Sequence, residues 1–86
     1  MTIIINYDVS QINLGDDADV SGWLDNLAAL IAAEFGRDVS LQTGYTGGRG
    51  TYSRDEEVNA RLREITSGDE WIALIPDSRD QIEDPS

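Results

Sequence analysis

The 86-residue sequence contains no cysteine, no histidine and no lysine, so its six basic residues are all arginine. The absence of cysteine excludes disulfides and thiolate metal sites and is usual for a cytosolic protein. Without histidine, the side chain that most often acts as a general base near neutral pH is missing. The thiolate and amine nucleophiles are missing as well. We therefore expect a protein that is not an enzyme and that holds no metal and no cofactor.

Long hydrophobic runs and a secretion signal are also missing. No run of about 20 apolar residues is present, so the sequence predicts no transmembrane helix. The first residues, Met1 to Asn6, contain no basic segment of the kind that begins a signal peptide. With the absence of cysteine, this predicts a cytoplasmic protein that contacts no membrane.

Seventeen acidic residues against six arginines give a net charge of −11 at pH 7. The surplus lies at the two ends of the chain: residues 1–38 and 69–86 are strongly acidic, whereas 39–68 contain four acids and four arginines. Such a charge repels nucleic acid and attracts basic surfaces. The expected partner is a basic protein or nucleoprotein complex, with no direct contact to nucleic acid. A salt-adapted proteome would produce the same acidity without a partner.

Hydrophobic patterning predicts two strands and a helix in the first half of the chain. Thr2–Val9 is a short apolar run rich in β-forming residues, and Val39–Thr43 alternates between apolar and polar residues. Between them, Val20–Phe35 repeats apolar residues at three- and four-residue spacing, which is typical of an amphipathic helix. An aspartate, either Asp17 or Asp19, is expected to cap its start, and Gly36 is expected to end it in a left-handed conformation.

The second half predicts a further helix and strand. A capping box over Ser53–Glu56 is expected to begin the helix, and Gly68 to end it. The apolar run Glu70–Ile75 is expected to form a third strand that Pro76 stops. Residues 77–86 are expected to form a charged, flexible tail.

These elements predict one small α/β (α+β) domain over residues 1–76, in the order β-α-β-α-β. Its three-stranded sheet would pack against two helices, and residues 45–52 remain open as a fourth strand antiparallel to the second. The sequence leaves monomer and homodimer open. On the first helix, the small residues Gly22, Ala29 and Ala33 beside Asn26 permit close approach, either by another element of the fold or by a second copy.

The glycine-rich segment Gly44–Gly50 allows two interpretations. Its backbone amides, placed before a helix, suit a phosphate or nucleotide. However, the segment lacks the Gly-Lys-Ser/Thr of a P-loop and the third glycine of the dinucleotide fingerprint. The other interpretation is a recognition loop in which Tyr45, Arg49 and Tyr52 contact a partner, because tyrosine and arginine are enriched in binding hot spots.

The acidic segment before the first helix resembles the start of an EF-hand calcium loop. Asp17, Asp19, Ser21 and Gly22 match its first positions, but Ala28 stands where calcium requires a bidentate glutamate. We therefore interpret these residues as helix-capping groups.

In size, charge and mixed α/β order, the chain resembles small anti-CRISPR and anti-restriction proteins of phages and mobile elements. The resemblance is of general character over the whole chain and includes no shared motif. It implies an inhibitor whose carboxylates imitate nucleic-acid phosphates in a basic groove. An alternative is an immunity protein or antitoxin of the barstar kind, which neutralises a basic toxin or nuclease. The expected contact residues are the phosphate surrogates Asp16, Asp17, Asp19, Asp25, Asp69 and Glu70, and the anchors Tyr45, Arg49 and Tyr52.

Overall fold

A computed structural model describes residues 2–15 and 18–76 of the chain. The predicted tail 77–86 and the predicted contact residues Asp16 and Asp17 lie outside the described residues. No helix within the described part is long and apolar enough to cross a bilayer. The elements, in chain order, are β1 (Ile3–Tyr7), a 3₁₀ turn (Val9–Gln11), α1 (Val20–Phe35), β2 (Val39–Thr43), β3 (Thr51–Tyr52), α2 (Glu56–Ser67) and α3 (Glu70–Ala73).

The three strands form a mixed sheet in the order β2-β1-β3. β1 and β2 are parallel, with Ile3 opposite Val39, as expected for two strands that a crossover helix joins. β3 pairs antiparallel with β1, with Asn6 opposite Tyr52. The predicted fold class, a small α+β domain with a three-stranded sheet and two main helices, is confirmed.

Residues 45–52, left open as a further strand antiparallel to the second, contribute β3, but β3 pairs with β1 on the side away from β2. The glycine-rich loop therefore crosses the end of β1 instead of closing a hairpin. It is fastened there by the Asp8 amide, which donates to the Gly50 carbonyl at 3.0 Å.

α1 begins and ends where the sequence predicts. The Asp19 carboxylate caps its start by accepting a hydrogen bond from the Gly22 amide at 3.0 Å. Gly36 ends it in a left-handed conformation, with φ of 64°, and donates its amide to the Ala32 carbonyl. Such a φ is costly for any residue with a Cβ atom, so glycine is the residue that suits this position.

Both main helices cover the same face of the sheet. Ile3 and Ile5 of β1 are buried, and the residues that alternate with them point to the other face. Full burial of one large aliphatic side chain stabilises a fold by roughly 1.5–3 kcal/mol. The buried apolar residues of the helices are Trp23, Leu24, Leu27 and Ile31 on α1, and Val58, Leu62 and Ile65 on α2.

The predicted strand Glu70–Ile75 is wrong, because residues 70–73 form the short helix α3. Side chains of α1 bind the carbonyls of this segment. The Trp23 indole donates to the Trp71 carbonyl at 2.9 Å, and the Asn26 amide group donates to the Leu74 carbonyl at 2.7 Å. The segment therefore packs beside α1 and not at a sheet edge, and the element order is β-α-β-β-α-α.

Gly22 and Asn26 thus contact residues 71–76, which we call the C-terminal segment. A Cβ atom at Gly22 would lie 2.6 Å from Cγ of Pro76, so only glycine admits this contact. Ala29 and Ala33 remain exposed.

The predicted capping box at Ser53 is also wrong. The Asp55 carboxylate caps α2 by accepting hydrogen bonds from the amides of Glu57 and Val58. Ser53 is buried before the helix, where its hydroxyl accepts from the Asp55 amide. A carboxylate at the helix start also suits the positive end of the helix dipole, which favours Asp55 over the hydroxyl.

Substitution Gly36→Ala should lower the free energy of unfolding by about 1–2 kcal/mol, because the cap requires a left-handed residue. Gly36→Asn should cost less, since asparagine tolerates this conformation better. Urea denaturation of the three proteins tests the cap. Equal stability of the wild type and Gly36→Ala would show that α1 does not end in this conformation.

Candidate functional site

The face of the sheet opposite the helices is uncovered in the described part of the chain. We call it the open sheet face. Strand register places Ile4 beside Ser40, and Asn6 between Gln42 and Tyr52. Ile4 is 40% exposed although it is a large aliphatic residue. The face contains no charged side chain, in a protein whose net charge is −11; its residues are Ile4, Asn6, Ser40, Gln42 and Tyr52.

Two of the predicted anchors meet at this face. The rings of Tyr45 and Tyr52 lie with their centroids 5.8 Å apart and their planes at 69°, an edge-to-face contact. Tyr45 is 75% exposed, and Asn6 of the open sheet face donates its side-chain amide to the Tyr45 carbonyl at 3.2 Å. Edge-to-face packing holds the two rings in one arrangement. We call them the tyrosine pair.

The loop that presents Tyr45 is held at both ends. Thr46 is buried, and its hydroxyl donates to the Gln11 side chain. Gly50 has φ of 90°, and a Cβ atom there would lie 2.9 Å from Ile12. The loop leads into β3 and not directly into α2, whose N-terminus is already capped by the Asp55 carboxylate. This placement does not favour the phosphate-binding interpretation.

A cleft of about 440 Å³ adjoins the open sheet face beside β1. Its lining residues include Ile4 and Asn6 of the open sheet face, together with Arg37 and Arg54. Arg37 donates to the Asp55 carboxylate at 2.7 Å, while Arg54 is exposed and forms no ion pair within the described residues. The cleft gives the open sheet face a concave margin with hydrogen-bond donors.

The third predicted anchor, Arg49, does not join the tyrosine pair. It lines a separate cleft of about 270 Å³ with Thr66 and Trp71, and a shallow depression with Arg63. Residues 44–52 therefore present side chains to two different surfaces.

The predicted phosphate surrogates are dispersed. Asp19 caps α1, and Asp25 is exposed further along that helix. Asp69 is exposed at the start of α3, where its side chain forms no capping hydrogen bond. Glu70 is bound by Arg61, which makes it the least available of the four described carboxylates.

Arg61 binds carboxylates from three helices. It meets Glu34 of α1 at 2.8 Å, Glu70 of α3 at 2.7 Å and Glu64 of its own helix at 3.3 Å. Helical spacing predicts only the Glu64 contact. The partners Glu34 and Glu70 are 27 and 9 residues away from Arg61 in the sequence, so no local pattern predicts these contacts.

Hydrogen bonds from Arg61 lower the pKa of Glu34 and of Glu70, and the two carboxylates raise the pKa of Arg61. A hydrogen bond from Arg37, helped by the amides of the α2 start, likewise lowers the pKa of Asp55. These groups therefore stay charged in the folded protein. Arg61 joins α1, α2 and α3, whereas Arg37, which follows α1, binds the start of α2.

In the part of the chain that the structure describes, no group of three or more acidic side chains is placed to hold a metal ion. Comparison with protein-family models, with curated proteins and with solved structures finds no match to the chain.

Acid should weaken the Arg61 cluster. Because the pKa values of Glu34 and Glu70 are lowered on folding, their contribution to stability is complete above the ordinary glutamate pKa, about 4.3, and disappears as pH falls through the lowered values. The free energy of unfolding should therefore decrease from pH 6 to pH 3 less steeply in Arg61→Gln than in the wild type. Denaturation in urea across this pH range measures the difference.

Arg63→Gln is the matched control, because Arg63 is exposed on the same helix and forms no ion pair within residues 2–15 and 18–76. Its pH dependence should parallel that of the wild type. If Arg61→Gln also paralleled the wild type, the cluster would contribute nothing to the pH dependence of stability.

Proposed function

We propose that the protein is a non-catalytic, cytoplasmic inhibitor that binds a basic protein or nucleoprotein complex and occupies its nucleic-acid-binding groove. The observation that carries the proposal is the tyrosine pair, in which Tyr45 is exposed and Tyr52 half-buried, on an uncharged sheet face that no other part of the described chain covers, in a protein with a net charge of −11. The tyrosine pair and the open sheet face supply the specific contact, and the carboxylates supply the attraction.

The open sheet face has the composition of an interface centre. Protein interfaces are poor in charged residues and rich in aromatic residues at their centre, with a polar rim. Tyrosine contributes a large contact area and a hydroxyl at a small entropic cost, which is why it dominates hot spots. Here the tyrosine pair lies beside Ile4 and the amides of Asn6 and Gln42, and Arg54 stands at the margin.

The carboxylates supply a long-range field. Eleven acidic residues lie in the described ranges. Four of them pair with arginine, namely Glu34, Asp55, Glu64 and Glu70. The other seven form no ion pair within these ranges, so their charge is available to attract a basic surface and to accelerate association. They are Asp8, Asp19, Asp25, Asp38, Glu56, Glu57 and Asp69.

Competition with nucleic acid tests the proposal. The chain is titrated against a panel of purified basic nucleases and effector complexes, in the presence and absence of their DNA or RNA, at rising salt. We expect binding to a panel member that nucleic acid displaces and that weakens with salt, because screened charges attract less. A complex that nucleic acid leaves intact, or whose affinity is the same at low and high salt, would contradict the proposal.

The combined variant Asp19→Asn, Asp25→Asn and Asp69→Asn tests the contribution of charge. Asparagine caps helices about as well as aspartate, so α1 should remain intact. The variant should associate more slowly and show a shallower salt dependence, while its dissociation rate changes little. Stopped-flow association rates measure this. Unchanged rates would show that these carboxylates do not steer the encounter.

Substitutions Tyr45→Ala and Tyr52→Ala should each weaken the same complex at least tenfold, because loss of a hot-spot aromatic costs about 2 kcal/mol or more. Val9→Ala and Ile72→Ala are the matched controls, since these side chains are 53% and 52% exposed but lie off the open sheet face. The controls should change affinity less than twofold in calorimetric titrations. Equal losses in all four variants would contradict a specific role for the tyrosine pair.

A further inference from the structure

β2 is an edge strand with one side unpaired in the part of the chain that the structure describes. The Ile3 amide donates to the Asp38 carbonyl, which fixes the direction of the backbone groups along β2. Because these directions alternate, Ser40 and Gln42 bond to β1, whereas Val39, Leu41 and Thr43 direct their N–H and C=O groups away from the sheet. Unpaired backbone groups in such a row form a template for another strand.

Nothing in the sequence of β2 protects this edge. Folded proteins block free edges with charged side chains, proline, bulges or very short strands. The strand Val-Ser-Leu-Gln-Thr has no charged residue and no proline, and it extends over five residues. The opposite edge strand, β3, is only two residues long. Of the two edges, β2 is therefore the one that remains open to pairing.

A second copy of β2 fits this edge in an antiparallel arrangement with a two-fold axis at Leu41. In that register Leu41 faces Leu41 of the second copy, and Val39 faces Thr43 of the second copy. All three outward-directed residues then lie in hydrogen-bonded pairs. A shift by one residue would place outward-directed groups opposite groups that already bond to β1. A shift by two residues would leave one of the three outward-directed residues of β2 without a partner on the second strand, so the register centred on Leu41 pairs the most backbone groups.

The same register keeps the negative charge apart. Asp38, the acidic residue next to the strand, lies opposite Gly44 of the second copy, so no two carboxylates face each other at the pairing strands. Ser40 lies opposite Gln42 of the second copy, where the hydroxyl and the amide are complementary. The repulsion expected between two chains of net charge −11 is therefore not concentrated at this edge.

The flank of α1 above this edge is compatible with a second copy. Trp23, Asn26 and Glu34 bind α2 and the C-terminal segment, which places them on the other flank. Helical geometry, at 3.6 residues per turn, puts Ser21, Asp25, Ala28 and Ala32 on the side of β2. Three of these four residues are small and uncharged and leave room for α1 of the second copy, which would lie beside it.

We propose that the protein forms a homodimer through β2, so that two three-stranded sheets join into one continuous sheet. A two-fold axis perpendicular to the sheet places both open sheet faces, and both tyrosine pairs, on the same side. The dimer does not depend on the proposed inhibitory function, and each can fail without the other.

The molar mass of the full chain in solution, measured by sedimentation over a concentration series, tests the dimer. We expect twice the 9.4 kDa of one chain. Thr43→Pro should give a monomer of unchanged circular dichroism, because it removes only an outward-directed N–H, which the ladder with β1 does not use. Thr43→Val keeps that N–H and should remain dimeric. A monomer up to millimolar concentration, or a Thr43→Pro dimer, would overturn the proposal.

Cross-linking tests the register. Because the chain has no native cysteine, only the introduced cysteines can form a disulfide. Under oxidation, a mixture of Val39→Cys and Thr43→Cys chains should form a covalent heterodimer, since hydrogen-bonded pairs lie within disulfide reach. Thr43→Cys alone should not cross-link, because the two copies of this residue lie at opposite ends of the paired strands. Cross-linking of Thr43→Cys alone, or none in the mixture, would refute this register. A dimer that Tyr45→Ala abolishes would instead place the interface on the open sheet face.

Discussion

The packing of Ile3 and Ile5 against α1 and α2 is the contact on which the rest of the structure depends. Both helices bury their apolar stripes against this one side of β1, so no helix of residues 2–15 and 18–76 covers the other side. The strict alternation of a strand then puts Ile4 and Asn6 on the uncovered side. The open sheet face is therefore a direct consequence of where the core lies.

The charges of the protein are arranged around this one-sided core. Arg61 joins α1, α2 and α3 through Glu34, Glu64 and Glu70, and Arg37 fastens the start of α2 through Asp55. In these ion pairs, four of the acidic side chains bind arginine and link the helices to one another. The open sheet face remains free of charge, so the tyrosine pair is available for contacts in which packing and hydrogen bonds determine specificity.

Local signals are sufficient to locate α1. The apolar stripe predicts Val20–Phe35 and Gly36 predicts its left-handed end, as observed, whereas the sequence leaves the cap open between Asp17 and Asp19 and the structure shows Asp19. The strand predicted over Glu70–Ile75 is wrong, because a short apolar run is compatible with either a strand or a helix, and the deciding hydrogen bonds come from Trp23 and Asn26, more than forty residues away.

The candidate site shows the same division between local and long-range information. Tyr45 and Tyr52 were predicted as contact residues from their type and their loop, and the structure brings them together. Their contact depends on the pairing of β3 with β1, which no local pattern indicates.

Mapping the bound surface tests the account most directly, by amide hydrogen exchange of the chain alone and in complex with a basic partner. Protection at β1, at β2 and at residues 44–52, with unchanged exchange on the exposed side of α1, is the predicted result. Protection confined to α1 and α3 would contradict it.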